Sequence, residues 1–202
     1  MKILFACEES QIGTMAFRAK GHEAYSCDLD PCSGPHPEWH IRGDVRRYLN
    51  DGRDMMIGHP PCTRLTNAVI WYIKKHNLWP EVDEAVSFFL ELWNAPIEKI
   101  CLENPIQHGY AKARLPEYAQ IIQPYQFGED ASKATCLWLK GLPPLLPTQM
   151  FPPRYVNGKP RWGNQTDGGW NKLPPSPDRG RLRSKSYPGI AEGMATQWTF
   201  NN

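Results

Sequence analysis

The chain has 202 residues, 41% of them hydrophobic and 22% charged, which suits one domain with a real core and excludes a disordered chain. No apolar run reaches the 18 or more residues of a membrane span, and Lys2-Ile3-Leu4-Phe5-Ala6 is too short for a signal peptide. The net charge of +2 is unevenly spread: residues 1–150 carry 15 Lys and Arg against 18 Asp and Glu, while residues 151–202 carry 8 against 3. Six cysteines with no export signal read as reduced thiols, so a cytoplasmic protein is expected.

Over the first 140 residues short apolar runs alternate with amphipathic helical patterns, the signature of a parallel sheet with crossover helices. Lys2 to Ala6 predicts a first buried strand. Ser10 is placed to cap the helix that follows, with Ile12, Met15, Ala16 and Ala19 at helical spacing and Gly21 as its stop. Glu23 to Leu29 predicts a second strand, ending in the acids Asp28 and Asp30. Asp54 to Gly58 predicts another, running into His59-Pro60-Pro61-Cys62 and then a helix that includes Leu65, Val69, Tyr72 and Ile73. A longer helix carries the stripe Val82, Ala85, Val86, Phe89, Leu90 and Trp93, with Pro80 in its first turn and Pro96 beyond its end. Lys99 to Leu102 predicts a strand delivering Glu103-Asn104-Pro105, and Gln120 to Phe127 and Thr135 to Leu139 are further strands. Nine of the 20 prolines lie between Pro143 and Pro177, so that stretch should be exposed loop. Phe17, Trp71, Phe88 and Trp93 read as core.

Ligands of open α/β sheets bind at the carboxyl ends of the strands, so Glu8, Asp28, Cys62 and Glu103 should share one rim. Cys62 follows two rigidifying prolines, and a helix N-terminus close behind it would favour the thiolate, with Arg64 nearby. It is the candidate nucleophile. Glu103, at the end of an apolar strand, is the candidate general acid, since desolvation favours a protonated carboxyl. Cys27, Cys32, His36 and His40 form a set too compressed for an ordinary zinc module, and no metal is expected.

His59-Pro60-Pro61-Cys62 and Leu102-Glu103-Asn104-Pro105, each after an apolar strand, resemble the catalytic motifs of the DNA cytosine-5 methyltransferases. The likeness continues in order: Ile3-Leu4-Phe5-Ala6 resembles the cofactor-binding first strand, Asp28 the acid after the second, and Gly43-Asp44-Val45 the turn after the third. Tyr187 to Ala195 resembles the terminal helix that returns to the cofactor pocket. The chain is similar to a compact, phage-type member, in which case it would work in the host cytoplasm. The resemblance implies a Rossmann-like class I methyltransferase fold, a mostly parallel sheet with helices on both faces. It implies transfer of a methyl group from S-adenosylmethionine to carbon 5 of cytosine in DNA, the target base flipped out or single-stranded. It also implies Cys62 as nucleophile, Glu103 as acid and Lys133 in place of a family arginine. Phe5, Cys7, Glu8, Ser10, Asp28, Asp44 and Pro60 would then line the cofactor site.

Two departures stand out. The family's Phe-x-Gly-x-Gly-Gly loop is here Phe5-Ala6-Cys7-Glu8-Glu9-Ser10, with only Gly13 beyond it. The target-recognition region shrinks to a basic insert, residues 141–182, within a single catalytic domain spanning 1–202, which leaves room for a protein partner to supply specificity. The cations Arg154, Arg161, Arg179, Arg181 and Arg183, with Arg64 and the aromatic Trp162, suit a nucleic-acid surface. Other readings are the same chemistry on RNA or a free pyrimidine nucleotide, and a non-catalytic fold that binds nucleic acid.

Overall fold

The computed structural model describes residues 1–176 and 179–199, apart from the Arg181 side chain. Among the described residues nine strands form: β1 (Lys2–Ala6), β2 (Glu23–Asp28), β3 (His40–Arg42), β4 (Met55–Gly58), β5 (Lys99–Pro105), β6 (Gln120–Ile122), β7 (Thr135–Lys140), β8 (Arg154–Val156) and β9 (Lys159–Arg161). The first seven build one sheet in the order β3-β2-β1-β4-β5-β7-β6, parallel except for β7, which runs against both neighbours. The helices are α1 (Ile12–Ala19), α2 (Ile70–His76), α3 (Trp79–Trp93), α4 (Gly109–Lys112), α5 (Arg179–Ser184) and α6 (Pro188–Gln197). Helices cover both faces of this sheet, so the fold is the expected Rossmann-like α/β architecture with a mostly parallel sheet. No helix among the described residues is long and apolar enough to cross a membrane.

Alternation along the strands divides the core. Leu4, Ala6, Met56, Ile100 and Leu102 pack with Val82, Val86, Phe89 and Leu92 of α3. Ile3, Phe5, Met55, Ile57 and Cys101 pack with Phe17 of α1 and Ile190, Met194 and Ala195 of α6. Because both faces are covered, the central strands are continuous apolar runs, and full burial of each large side chain contributes about 1.5–3 kcal/mol. The insert adds the separate β8–β9 hairpin and the start of α5.

Five sequence expectations are corrected. Strand β6 stops at Ile122, because Pro124 starts a 3-10 turn in which the Gln126 side chain accepts from Gln123 N–H. No helix follows Cys62 directly. Residues 62–67 instead turn back on Cys62 O and pair with the chain after β5, through Asn67 N–H to Ile106 O and His108 N–H to Leu65 O, so α2 waits until Ile70. The expected stripe of α1 faces outward at Met15 and Ala19, and the buried residues are Gly13, Thr14 and Phe17. The cause is Gly13: the Phe5 ring lies 2.2 Å from where a Cβ would stand, so this position alone admits the closest approach. Ser10 does not cap α1; helix entry is shifted to Gln11, and the Glu8 carboxylate takes the free N–H groups. Trp71 is 67% exposed on α2, under the Lys75 ammonium, and is not core.

Candidate active site

The ends of β2, β1, β4 and β5 lie side by side in the parallel part of the sheet, so the polar residues after them meet on one rim. At the β1 end, Cys7 takes φ +59°, the left-handed conformation a glycine would favour, and Gln11 takes φ +61°. Cys7 stands where the resembled family's loop has its first glycine. Burial, then the charges of Asp28, Cys27 and Asp44, push its thiol up to about 12. Glu8 is buried and serves as the cap of α1: it accepts from Gly13 N–H (2.7 Å), Thr14 N–H (3.2 Å) and the Thr14 hydroxyl (2.7 Å). Burial raises its pKa, opposed by His59 and by these hydrogen bonds. An anion at a helix N-terminus thus occupies the place that a glycine loop would keep for a ligand. Gln11, fully buried, fastens the loop of residues 33–37 by accepting from His36 N–H and donating to His36 O.

At the β2 end, Asp28 is half-buried and its pKa is raised by desolvation. One oxygen accepts from Asp30 N–H. Asp44 caps the turn after β3 and is held by Arg46 through its backbone N–H and guanidinium, which lower its pKa. Phe5, Gly13, Ile57, His59, Glu103, Ser186, Ile190, Ala191 and Met194 enclose a small cavity between the rim and α6. A cofactor carrying ribose hydroxyls and a charged amino-acid end fits this donor set in two respects. Asp28 is a desolvated acid with acceptor capacity to spare, and His59, which lines the cavity, has a buried Nε2 with no hydrogen-bond partner among the described residues, as does Asn104 Oδ1 on β5.

Cys62 lies at the β4 end, half-buried in the Pro60-Pro61-Cys62 turn. Pro60 is buried, and its carbonyl accepts from Asn104 Nδ2 at 2.7 Å, which ties the turn to β5. The thiol is not activated by a helix N-terminus. Desolvation raises its pKa, while the Lys133 and Arg183 charges lower it, so cations from two distant segments favour the thiolate. Lys133 is set by its N–H to Gln123 Oε1 (2.9 Å), and its ammonium sits 5.8 Å from the Tyr187 ring centroid. Glu103 belongs to β5 itself, opposite Leu137 of β7, with 11% of its side chain exposed. Its Oε2 lies 3.7 Å from His59 Nδ1. His59 and Asn104 were quoted within their motifs but given no role by sequence; their burial and missing partners single them out only in three dimensions.

The expected nucleic-acid residues separate into engaged and free. Arg64 pairs with Glu81 of α3 (2.7 Å), beside a groove of about 470 Å³ whose Glu84 and Glu91 carboxylates repel phosphate. Arg154 bonds Asp167 and Gln165 O, Arg161 bonds Asp167 O, and Arg179 bonds Leu173 O. Trp162 stacks on Tyr125 at 4.1 Å and donates to Phe151 O. Arg183 is exposed and acts on Cys62, and Tyr155 and Trp170 are 71% and 79% exposed, with Lys159 and Lys172 exposed alongside. The Arg181 side chain lies outside the described residues. Cys27 is buried in β2 with its thiol on Gly43 O, while His36 contacts Glu38 and His40 contacts Ser26. No cluster able to hold a metal occurs among the described residues.

The sequence matches no known family model and no curated protein. Solved structures do match, among them a candidate DNA modification methyltransferase encoded within a prophage of E. coli. That match has a TM-score of 0.46 at 13% identity and covers 78% of this chain and 54% of that one. The chain therefore spans about half the length of that structure, a distant likeness that says nothing of substrate.

Proposed function

We propose that this protein transfers a methyl group from S-adenosylmethionine to carbon 5 of cytosine in DNA, through a covalent adduct on Cys62. The observation that carries the reading is that Cys62 follows β4 and Glu103 ends the neighbouring β5, with the Asn104–Pro60 hydrogen bond tying the Cys62 turn to that strand. Bound S-adenosylmethionine supplies an electrophilic methyl group. Asp28 would hold the ribose hydroxyls, and the rim beside His59, Ser186 and Ile190 would face the cofactor's methionyl end. The Cys62 thiolate adds to carbon 6 of the cytosine while Glu103 gives a proton to ring nitrogen 3, which leaves carbon 5 nucleophilic. After carbon 5 gains the methyl group and loses its hydrogen as a proton to solvent, the sulfur–carbon bond breaks and the nitrogen 3 proton returns to Glu103. Lys133 and Arg183 favour the thiolate throughout, and Lys159, Lys172, Tyr155 and Trp170 offer cations and stacking faces for the polymer.

DNA carrying 5-fluorocytosine should trap the protein irreversibly in the presence of S-adenosylmethionine, because carbon 5 then has no proton to lose. Cys62→Ser should abolish the adduct, and an adduct that survives this change excludes the assignment. Nucleoside mass spectrometry on DNA from expressing cells should show 5-methylcytosine. Removing Lys159 and Lys172 together should weaken DNA binding and flatten the slope of log affinity against log salt by about 1.4–1.8 if both touch phosphate. A slope that stays unchanged moves the nucleic-acid surface elsewhere, and a protein that methylates only nucleotides would show no slope of this kind.

A further inference from the structure

His59 leaves β4 with its N–H on Ala6 O (2.9 Å), so its backbone is fixed in the β1–β4 ladder. Its side chain, 17% exposed, lies between two carboxyls from different strands. Toward β5, Nδ1 stands 3.7 Å from Glu103 Oε2, too long for a hydrogen bond and within reach of an ion pair. Toward the β1 turn, its charge acts on Glu8. The α6 side of the cavity offers only Ile190, Ala191 and Met194, with Ser186 just before the helix, so Glu8 and Glu103 are the ionisable groups that line up with the imidazole. No hydrogen bond to the Glu103 carboxyl is found among the described residues, so the imidazole is the polar group that stands nearest to orient it. In ligand-free sites such contacts are commonly long and tighten when the substrate arrives.

We propose that His59 is the positioning residue of the candidate acid: its Nδ1 holds the Glu103 carboxyl toward the cytosine, while its Nε2 stays buried without a partner among the described residues. This inference rests on the cytosine-5 reading and deepens it. Freeing the carboxyl would let it turn away from ring nitrogen 3, and a misplacement of about 1 Å in such a group can cost on the order of a hundredfold in rate.

A cofactor-free assay isolates the step. Once Cys62 has added to carbon 6 and nitrogen 3 is protonated, carbon 5 can take a deuteron from D2O. It then releases its original proton to solvent, and elimination restores cytosine, now deuterated, with the nitrogen 3 proton back on Glu103. This exchange is followed by mass spectrometry for the parent, His59→Leu and His59→Asn. Leucine fills the space without a donor, whereas the asparagine amide can reach the position of Nδ1. His59→Leu should slow exchange at least thirtyfold, and His59→Asn should restore it to within about tenfold of the parent. Unchanged exchange in His59→Leu, or equal losses in both variants, would overturn the proposal. A second arm needs no turnover: the 15N resonances of the His59 ring should move when Glu103→Gln is introduced, and unmoved resonances overturn it even if His59→Leu fails to fold. A parent that neither exchanges nor forms the fluorocytosine adduct defeats the cytosine-5 reading, while the nuclear resonance arm still decides the His59–Glu103 contact.

Discussion

Cys7 and Cys62 end two neighbouring parallel strands, on the same rim and in comparable turns, yet their surroundings oppose each other. Around Cys7 stand the carboxylates Asp28 and Asp44, which add to burial in keeping the thiol protonated. Around Cys62 stand Lys133 and Arg183, which work against burial. Strand position therefore does not set the charge balance at a thiol; the groups delivered from outside the strand do. The first turn gathers carboxylates, and the second brings cations that oppose the effect of burial on the sulfur.

The largest contrast should appear on alkylation with iodoacetamide near pH 8. A thiol at about 12 holds roughly a thousandth or less of the thiolate of an ordinary cysteine. Cys7 should therefore label at least a hundredfold more slowly than Cys62, as read by peptide mass spectrometry, and similar rates would break the comparison. The rate at Cys62 should climb with pH past the ordinary cysteine range, since its pKa is raised by desolvation. Lys133→Met removes a charge that stabilises the thiolate, so the midpoint should move further up and labelling at pH 8 should slow. A downward move would show that Lys133 acts through packing instead.

Asp28→Ala sharpens the contrast from the other side. By calorimetry it should weaken S-adenosylmethionine binding at least tenfold, about 1.4 kcal/mol. It should also lower the Cys7 pKa, because Asp28 is the largest contributor after burial, and leave Cys62 where it was. Loss of cofactor affinity with no change at Cys7 would mean that the turn had rearranged. The smallest effect concerns the left-handed backbone at Cys7. Cys7→Gly should be more stable than Cys7→Ala by about 1 kcal/mol in chemical denaturation, the reverse of the usual order, because only glycine takes φ +59° without cost.

The parallel sheet was legible because β1, β4 and β5 are uninterrupted apolar runs, and the motif residues fell at their ends where such sheets place ligands. What was not legible was decided by partners far away in the chain. The segment after Cys62 has a helical pattern, but its N–H and C=O groups pair with residues 106–108, some forty positions on. The face of α1 was misjudged because hydrophobicity favoured Met15, whereas the controlling fact was the Phe5 ring beneath Gly13. Trp162 looked like a base-stacking face from composition, and its actual partner, Tyr125, is invisible to local pattern. A charge favouring the Cys62 thiolate was assigned to a helix that does not begin there, whereas the cations that oppose its burial, Lys133 and Arg183, are brought near it only by the tertiary fold.

The stretch between 151 and 189, which holds most of the basic insert, is fastened at both ends to a single short segment of chain. It departs after Phe151, whose N–H bonds Tyr125 O, and returns at Gly189, whose N–H bonds Glu129 Oε1 and whose backbone leaves no room for a Cβ against Phe127 O. Closing a loop on such a base costs only logarithmically in its length, about 0.6 kcal/mol for each doubling. The sheet and the excursion are thereby separable as a chassis and a cassette, save that Arg183, which acts on Cys62, and Ser186, which lines the small cavity, lie inside the excursion. A longer segment carrying other contacts could be spliced between the same two clasps without altering the sheet. Asn164, which bonds Ser132 in both directions one residue before Lys133, is the stitch such a replacement would have to keep.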